Sequence, residues 1–297
     1  MASVIELKHV TKQYGKSRGV TNVSFDVDAG TIFGFLGPNG AGKTTTISML
    51  VDLIRPSKGS ISLFGLDAQR DSLAIRRRIG FLAGDFALDE SLTGWQQLTY
   101  MGNLRGGVSK VRIQELAKRF DCNLKRPIKT LSRGNRQKIG LISALMHDPE
   151  LLIFDEPTSG LDPLMQSAFN SILQEHKQRG KTVFISSHLL SEIQEVCDKV
   201  AFIREGNLIA VRELSEITAS SPKHLRLVSN DKKLAEQLRA IKGLDVLQSE
   251  LPIIECNYAG DINTLLRLLS HHELDDLTIT EADLETVFMK YYEDKNV

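Results

Sequence analysis

The sequence predicts an α/β fold: a mostly parallel sheet with antiparallel strands at its N-terminal side and a helical insert, followed by a small α+β domain. Three observations predict it. The short runs TIFGFL (Thr31 to Leu36), LLIFDEP (Leu151 to Pro157) and TVFISSH (Thr182 to His188) are apolar without alternation, as in strands buried on both faces. Helix-like segments lie between them, and strand–helix alternation makes a sheet covered by helices. GPNGAGKTT, Gly37 to Thr45, satisfies GxxxxGK[ST] between a strand-like and a helix-like run, which is the context a phosphate-binding loop requires.

The elements follow in order. VIELKHVTKQY and GVTNVSFDVDAG carry apolar residues at period two and read as antiparallel strands ahead of the loop. In the loop, formed by Gly37, Pro38, Asn39, Gly40, Ala41, Gly42, Lys43, Thr44 and Thr45, successive N–H groups can curl inward toward a triphosphate, where a side chain at Gly40 or Gly42 would obstruct. Lys43 is placed to reach the β and γ phosphates, and the Thr44 hydroxyl to take one position on Mg²⁺. TTTISMLVDLI (Thr44 to Ile54) forms a helix whose N-terminus faces the phosphates. RPSKGSISLFG reads as a turn and a strand, the stretch around Arg76 to Arg78 as a basic helix, IGFLA as a strand, and Ser91 to Phe120 as helical.

LLIFDEP ends in two carboxylates. Asp155 is expected to hold Mg²⁺ through water, and Glu156 to polarise an attacking water, because neighbouring strand side chains point in opposite directions. VAFIREGNLIAV (Val200 to Val211) repeats the strand signal. ASSP (Ala219 to Pro222) marks a linker. Beyond it HLRLVS, a helix at Lys233 to Ile241, GLDVLQSE, PIIECNY, a helix at Ile262 to Ser270, and DDLTI alternate as a compact α+β module. The domains are therefore expected at 1–218, with the helical subdomain at about 86–145, and at 222–297. In the last helical stretch, ADLETVFMKYY, Leu284, Val287, Phe288 and Tyr291 recur at three and four residues; core packing and an oligomer contact both fit.

Composition excludes several classes. The 297 residues carry net charge +0, so nothing overall recommends a nucleic-acid partner. From Pro222 onward nine Lys/Arg face fourteen Asp/Glu, a local charge of −5. The mildly basic remainder suits a polyphosphate ligand, and ordinary scatter between domains accounts for it equally well. Cys122, Cys197 and Cys256 form no CxxC pair, which suggests neither a zinc site nor a disulfide framework and points to a reducing cytoplasm. The N-terminus lacks the apolar length of a signal peptide and no run reaches that of a membrane span, so contact with a membrane is expected through a partner.

Five motifs now stand in one order: the phosphate loop, LSRGNRQK (Leu131 to Lys138), LLIFDEP, TSGLDP (Thr158 to Pro163) and His188. In that order they resemble the ATP-binding subunit of a bacterial ATP-binding cassette (ABC) transporter, over about Val4 to Arg212. The resemblance implies a P-loop ABC cassette that binds ATP with Mg²⁺, hydrolyses it, and closes as a dimer around two ATP. LSRGN resembles the family's LSGGQ signature, so Leu131, Ser132, Arg133, Gly134 and Asn135 would act on the nucleotide held by a second copy, Ser132 and the Gly134 N–H as donors. Asp162 would lie at the dimer seam, Tyr14 would stack on adenine, and His188 would contact the γ-phosphate and position Glu156 and water.

Two departures stand out. Arg133 and Asn135 replace Gly and Gln of the signature. After IGFLA, where the family places a glutamine that helps bind Mg²⁺ and senses the membrane partner, this chain has Gly84 and then Asp85. Asp85 as a metal ligand through water, or Gln96 and Gln97 bending inward, are the available substitutes.

The leading functional reading is an energy-coupling ATPase, cytoplasmic and peripheral on the inner face of the membrane, that powers a separately encoded permease. The resemblance of the short C-terminal module favours export. The docking surface is expected after Gly84, at Ser91 to Tyr100 with Trp95. The alternative is a soluble or regulatory ABC-type ATPase with weak hydrolysis, not coupled to transport. Cargo, permease, and homodimer or heterodimer are left open by the residues.

Overall fold

The computed structural model describes residues 3–15, 17–220 and 223–281. Two compact units divide the chain, Met1–Leu214 and Ser215–Val297.

The first unit opens with two long strands, β1 (Ser3–Tyr14) and β2 (Ser17–Asp28), paired antiparallel. Then come β3 (Ile32–Leu36), α1 (Lys43–Leu50), β4 (Lys58–Leu63), β5 (Leu66–Asp67), α2 (Ser72–Arg78) and β6 (Ile79–Leu82). Next are α3 (Gly94–Leu104), α4 (Lys110–Arg119), α5 (Arg133–Leu145), β7 (Leu151–Asp155), α6 (Pro163–Gln178), β8 (Thr182–Ser187), α7 (Leu190–Val196), β9 (Lys199–Arg204) and β10 (Asn207–Glu213). One sheet has the order β2-β1-β4-β5 and the other β10-β9-β3-β8-β7-β6. In the second sheet every pairing from β9 to β6 is parallel. The strand in RPSKGSISLFG therefore joins the antiparallel sheet, as β4 beside β1.

The apolar runs behave as their composition demands. All five residues of β3 and all five of β7 are buried. Phe25 of β2 stacks on Phe33 of β3 with ring centroids 5.5 Å apart and on Phe184 of β8 at 6.2 Å. These rings join the two sheets in one core with Ile5, Val10, Ile47 and Leu63. Val200 to Val211 departs from the single strand expected there: Glu205 and Gly206 have φ of +50° and +80° and turn the chain into the antiparallel hairpin β9–β10. Positive φ at both central residues of a two-residue turn is what the right-handed strand twist favours.

Past α8 (Leu214–Ser220), the second unit runs β11 (Lys223–Val228), α9 (Lys232–Arg239), β12 (Leu244–Glu250), β13 (Ile253–Tyr258), α10 (Ile262–Leu269) and β14 (Asp276–Glu281). Its sheet order is β12-β13-β11-β14, all antiparallel, so the module is a βαββαβ split, ferredoxin-like arrangement. Leu225, Leu227, Leu234, Leu238, Ile254 and Leu265 form its core. The expected helix carrying Leu284, Val287, Phe288 and Tyr291 lies outside the described residues.

Candidate functional site

The parallel strands deliver their C-terminal ends to one loop. Leaving β3, Gly37 to Gly42 turns into α1, whose first residue, Lys43, is almost fully buried. A cavity of about 280 Å³ is lined by Gly19, Asn39, Gly40, Gly42, Lys43, Thr44, Thr45 and Glu156. The Lys43 ammonium donates to the Gly37 carbonyl at 2.6 Å and the Pro38 carbonyl at 3.2 Å, and stands 3.2 Å from Glu156 Oε1.

The glycines divide their labour differently from expectation. At Gly40, φ is +79° and an added Cβ would meet nothing within 4 Å, so it would stand in open space. At Gly42, φ is +109° and a Cβ would come within 2.6 Å of Val20. Gly42 therefore lets α1 approach β2, and its side chain would strike protein before reaching a phosphate.

Two carboxylates meet this loop from β7. Asp155, 2 % exposed, accepts the Thr44 hydroxyl on one oxygen at 2.7 Å and the Ser186 hydroxyl on the other at 2.5 Å. Glu156 lies beyond the strand, and its φ of +51° rather than strand alternation sets its direction. That left-handed turn sends both carboxylates toward the loop, where simple alternation would have separated them. The Glu156 N–H donates to Ser186 Oγ at 3.1 Å, holding the turn against β8. Glu156 Oε2 accepts a hydrogen bond from His188 Nδ1 at 2.7 Å. Because a carboxylate only accepts, Nδ1 carries the proton and Nε2 is left free to face a ligand. Glu156 Oε1 is buried and receives no hydrogen bond, the Lys43 ammonium being near but not aligned for one.

Tyr14, 41 % exposed at the end of β1, has the Lys12 ammonium 5.3 Å from its ring centroid. Its ring lies 3.5 Å from where a Cβ on Gly19 would sit, which puts it at the rim of the loop cavity.

The LSRGN residues gather elsewhere. Ser132 caps α5, its Oγ accepting the Asn135 backbone N–H at 3.4 Å and Asn135 Nδ2 at 3.0 Å. The Asn135 amide is thus engaged within its own turn. Arg133 donates to Ser159 Oγ at 3.0 Å, and a Cβ on Gly134 would lie 2.4 Å from the Gly160 carbonyl oxygen. LSRGN and TSGLD of the same chain therefore touch backbone to backbone. Asp162 caps α6 by accepting the Met165 N–H at 3.0 Å, and is exposed. None of Leu131 to Asn135 lines the loop cavity; Leu131 and Arg133 line another, of about 500 Å³, with Gly84, Asp85, Phe86, Arg136 and Gln137.

Gly84 faces Asp155: a Cβ there would lie 3.3 Å from the Asp155 carbonyl and 3.4 Å from Asp155 Oδ2. Neither glutamine substitute reaches this place. Gln96 forms the capping box of α3 with Thr93, its Oε1 accepting the Thr93 N–H at 2.9 Å. Gln97 Oε1 accepts the Asp89 N–H at 3.4 Å. Trp95 is half-buried and borders a separate cavity of about 800 Å³ with Cys122 and Leu124.

Ser186, Thr158 and Glu192 belong to the site's support and were not singled out from sequence. The available signal was the Ser-Ser pair before His188 and an acid four residues after it. Ser187 and Thr158 donate to the two Glu192 carboxylate oxygens at 2.5 and 2.7 Å.

A phosphate loop with buried lysine, a hydroxyl-bound aspartate, a following glutamate and a histidine on that glutamate, beside a separate LSRGN cap, define an ABC-type ATP-binding cassette. A model of the ABC transporter family matches residues 20–159. The chain is 35% identical over 299 residues to the bacitracin transport ATP-binding protein BcrA of Bacillus licheniformis, covering 98% of this chain and 97% of that one. Among solved structures, an ATP-binding subunit of an ABC transporter aligns with TM-score 0.65 and 29% identity over 72% of this chain and 92% of that one. A dimeric ATP-binding cassette in a post-hydrolysis state with ADP and Pi shares the fold, at TM-score 0.63 and 22% identity, over 71% and 98%. The chain belongs to the ABC transporter family as an ATP-binding subunit; it is an ATP hydrolase that powers a separate membrane permease. Among the described residues no helix is long and apolar enough to cross a membrane.

Proposed function

We propose that two cassettes close around two ATP, that Glu156 is the general base for hydrolysis in each, and that the resulting motion drives export by a permease at the inner face of the membrane. The observation that carries the reading is the Glu156–His188 hydrogen bond of 2.7 Å at the mouth of the loop cavity. A water held by Glu156 would pass its proton to the open carboxylate oxygen, Oε1, while the histidine fixes the other. Lys43 would leave the Gly37 and Pro38 carbonyls for the β and γ phosphates, and the N–H groups of Gly40 and of Gly42 to Thr45 would surround them, the Ala41 N–H being held by the Pro38 carbonyl at 3.1 Å. His188 Nε2 would face the γ-phosphate, and Tyr14, at the rim, the adenine.

Mg²⁺ fits the oxygen pair Thr44 Oγ1 and Asp155 Oδ2, hard donors 2.7 Å apart at the end of the loop. When bound it would neutralise phosphate charge. No group of three or more His, Cys, Asp or Glu able to hold a metal occurs among the described residues, which suits an ion held mainly by substrate phosphates and water.

The second copy supplies what the cavity lacks. LSRGN lines no part of its own loop cavity, and the Ser132 hydroxyl proton and the α5 N-terminus are free to meet a phosphate held by a partner. Asp162 would lie at that seam. The α3 region, Ser91 to Tyr100, remains the proposed docking surface, with half-buried Trp95 at its edge. Export is supported by likeness to a bacitracin transport ATP-binding protein over both units.

The test is steady-state ATP hydrolysis by the purified chain with Glu156→Gln beside it. Loss of turnover with nucleotide binding retained supports the reading. Turnover that the substitution leaves intact overturns it.

A further inference from the structure

Resting on the catalytic reading above, we infer that Glu192 is a positioning residue for hydrolysis: one carboxylate that clamps together the two chain segments bearing Glu156 and His188. Glu192 sits in the first turn of α7 and lines neither the loop cavity nor the Gly84 cavity. Its Oε1 accepts the Thr158 hydroxyl at 2.7 Å and its Oε2 the Ser187 hydroxyl at 2.5 Å. Thr158 is two residues past Glu156, and Ser187 is the residue before His188; both are almost fully buried.

The geometry fixes the direction of each bond. Ser187 Oγ accepts the Leu189 N–H at 3.0 Å, so its own proton goes to Glu192. The Ser187 carbonyl accepts the Gly37 N–H at 3.3 Å, which carries the clamp through to the start of the phosphate loop. Hydroxyl bonds to an ionised carboxylate are short and roughly twice as strong as neutral ones. Without them, what joins the segments past the β7–β8 ladder and its Ser186–Asp155 bond is the Glu156–His188 bond itself and the Glu156–Ser186 contacts. Water attack depends on that pair's placement, and a shift of about 1 Å costs on the order of 10²-fold in rate. Nucleotide binding depends on Lys43 and the loop N–H groups, which Glu192 does not touch.

The experiment measures kcat and KM for ATP on the full chain with saturating Mg²⁺, for Glu192→Ala, Glu192→Gln and Thr158→Val. Glu192→Ala is expected to lower kcat roughly 10- to 100-fold while KM changes less than about threefold. Glu192→Gln keeps an acceptor for one hydroxyl and offers a donor to the other, and is expected to recover kcat to within about fivefold of the unsubstituted chain. Thr158→Val combined with Glu192→Ala is expected to be no worse than Glu192→Ala alone, since both remove the same link. Should the alanine variant fold poorly, Glu192→Gln and Thr158→Val carry the test, Thr158→Val lowering kcat at constant KM and Glu192→Gln recovering it. A kcat unchanged in Glu192→Ala or Thr158→Val, or a loss confined to KM, overturns the clamp. Glu156→Gln run alongside separates the two readings: if it abolishes turnover and Glu192→Ala does not lower kcat, the clamp alone fails; if Glu156→Gln retains turnover, both fail.

Discussion

His188 Nδ1 lies 2.7 Å from Glu156 Oε2, and each residue is held from behind by β8: Glu156 through Ser186, His188 through the strand it terminates. The histidine thereby fixes one oxygen of the carboxylate, while the other, buried and without a hydrogen bond, points to the side where Lys43 stands. An asymmetric carboxylate of this kind has one oxygen for orientation and one for chemistry. Replacing Glu156 by Gln is expected to cut turnover by at least about 10²-fold, the usual worth of a general base, with nucleotide affinity retained. His188→Ala should lose less, about tenfold or more, because the carboxylate survives without its guide. Turnover in His188→Ala equal to the unsubstituted chain would remove the histidine from the reaction.

Gly84 is expected to accept a glutamine. Its Cβ position is 3.3 Å from the Asp155 carbonyl, so the two must part by a few tenths of an ångström, and Gly84 borders a cavity of about 500 Å³. An amide placed there adds an oxygen donor near Asp155, so Gly84→Gln should lower the Mg²⁺ concentration that half-saturates hydrolysis by a few-fold, with little change in thermal stability. A Mg²⁺ titration that superimposes on that of the unsubstituted chain would show that the Gly84 side has no part in the ion site.

Gly134→Ala is expected to be far more damaging than its size suggests. The new Cβ would meet the Gly160 carbonyl at 2.4 Å, and both partners are backbone. Relieving the clash means separating LSRGN from TSGLD, at a typical overpacking cost of about 1–3 kcal/mol. Thermal unfolding and ATP turnover should both fall; Arg133→Ala, which removes only an exposed hydrogen bond to Ser159, should leave the melting temperature nearly unchanged.

Acid sensitivity should trace to His176. This residue is 1 % exposed, and burial, with Lys181 and Arg179 nearby, lowers its pKa from 6.5 to about 4. Arg179 donates to Nδ1 at 3.3 Å, so the neutral ring carries its proton on Nε2, a buried donor with no acceptor. Between about 6.5 and about 4 the unfolded chain binds a proton that the folded chain refuses. Stability from this group is therefore complete above the unfolded value, falls as pH drops through the window, and levels off below the folded value, a total of about 3 kcal/mol. His176→Leu should flatten that limb of a melting-temperature profile and cost little at pH 7. An unchanged slope would assign the acid limb to other groups.

Much of this site was legible because its chemistry is written in contiguous residues. Lys43, Thr44, Asp155 and Glu156 come from local patterns, a glycine loop and an apolar strand end, whose physics requires few long-range partners. Glu192, Ser186 and Thr158 were not legible, since their importance arises only where β7, β8 and α7 meet, and a lone Ser or Glu has no local signature. The Glu156 turn was misread for a related reason: strand alternation is the default, and a left-handed φ at a non-glycine residue is imposed by neighbours. The β9–β10 hairpin did have a local signal, Arg204 to Asn207 with Gly206 breaking the apolar run, and was missed because the apolar residues on either side were read as one strand.

The backbone contact between Gly134 and Gly160 has a genetic consequence. In the proposed dimer, LSRGN of one copy serves the nucleotide of the other, while TSGLD follows that same copy's own Glu156. An alteration at this contact would therefore injure the partner's site through the lost donors and its own through the displaced loop. A chain carrying Gly134→Ala, expressed beside intact chains, is expected to act as a dominant inhibitor, because every mixed pair contains no undamaged site.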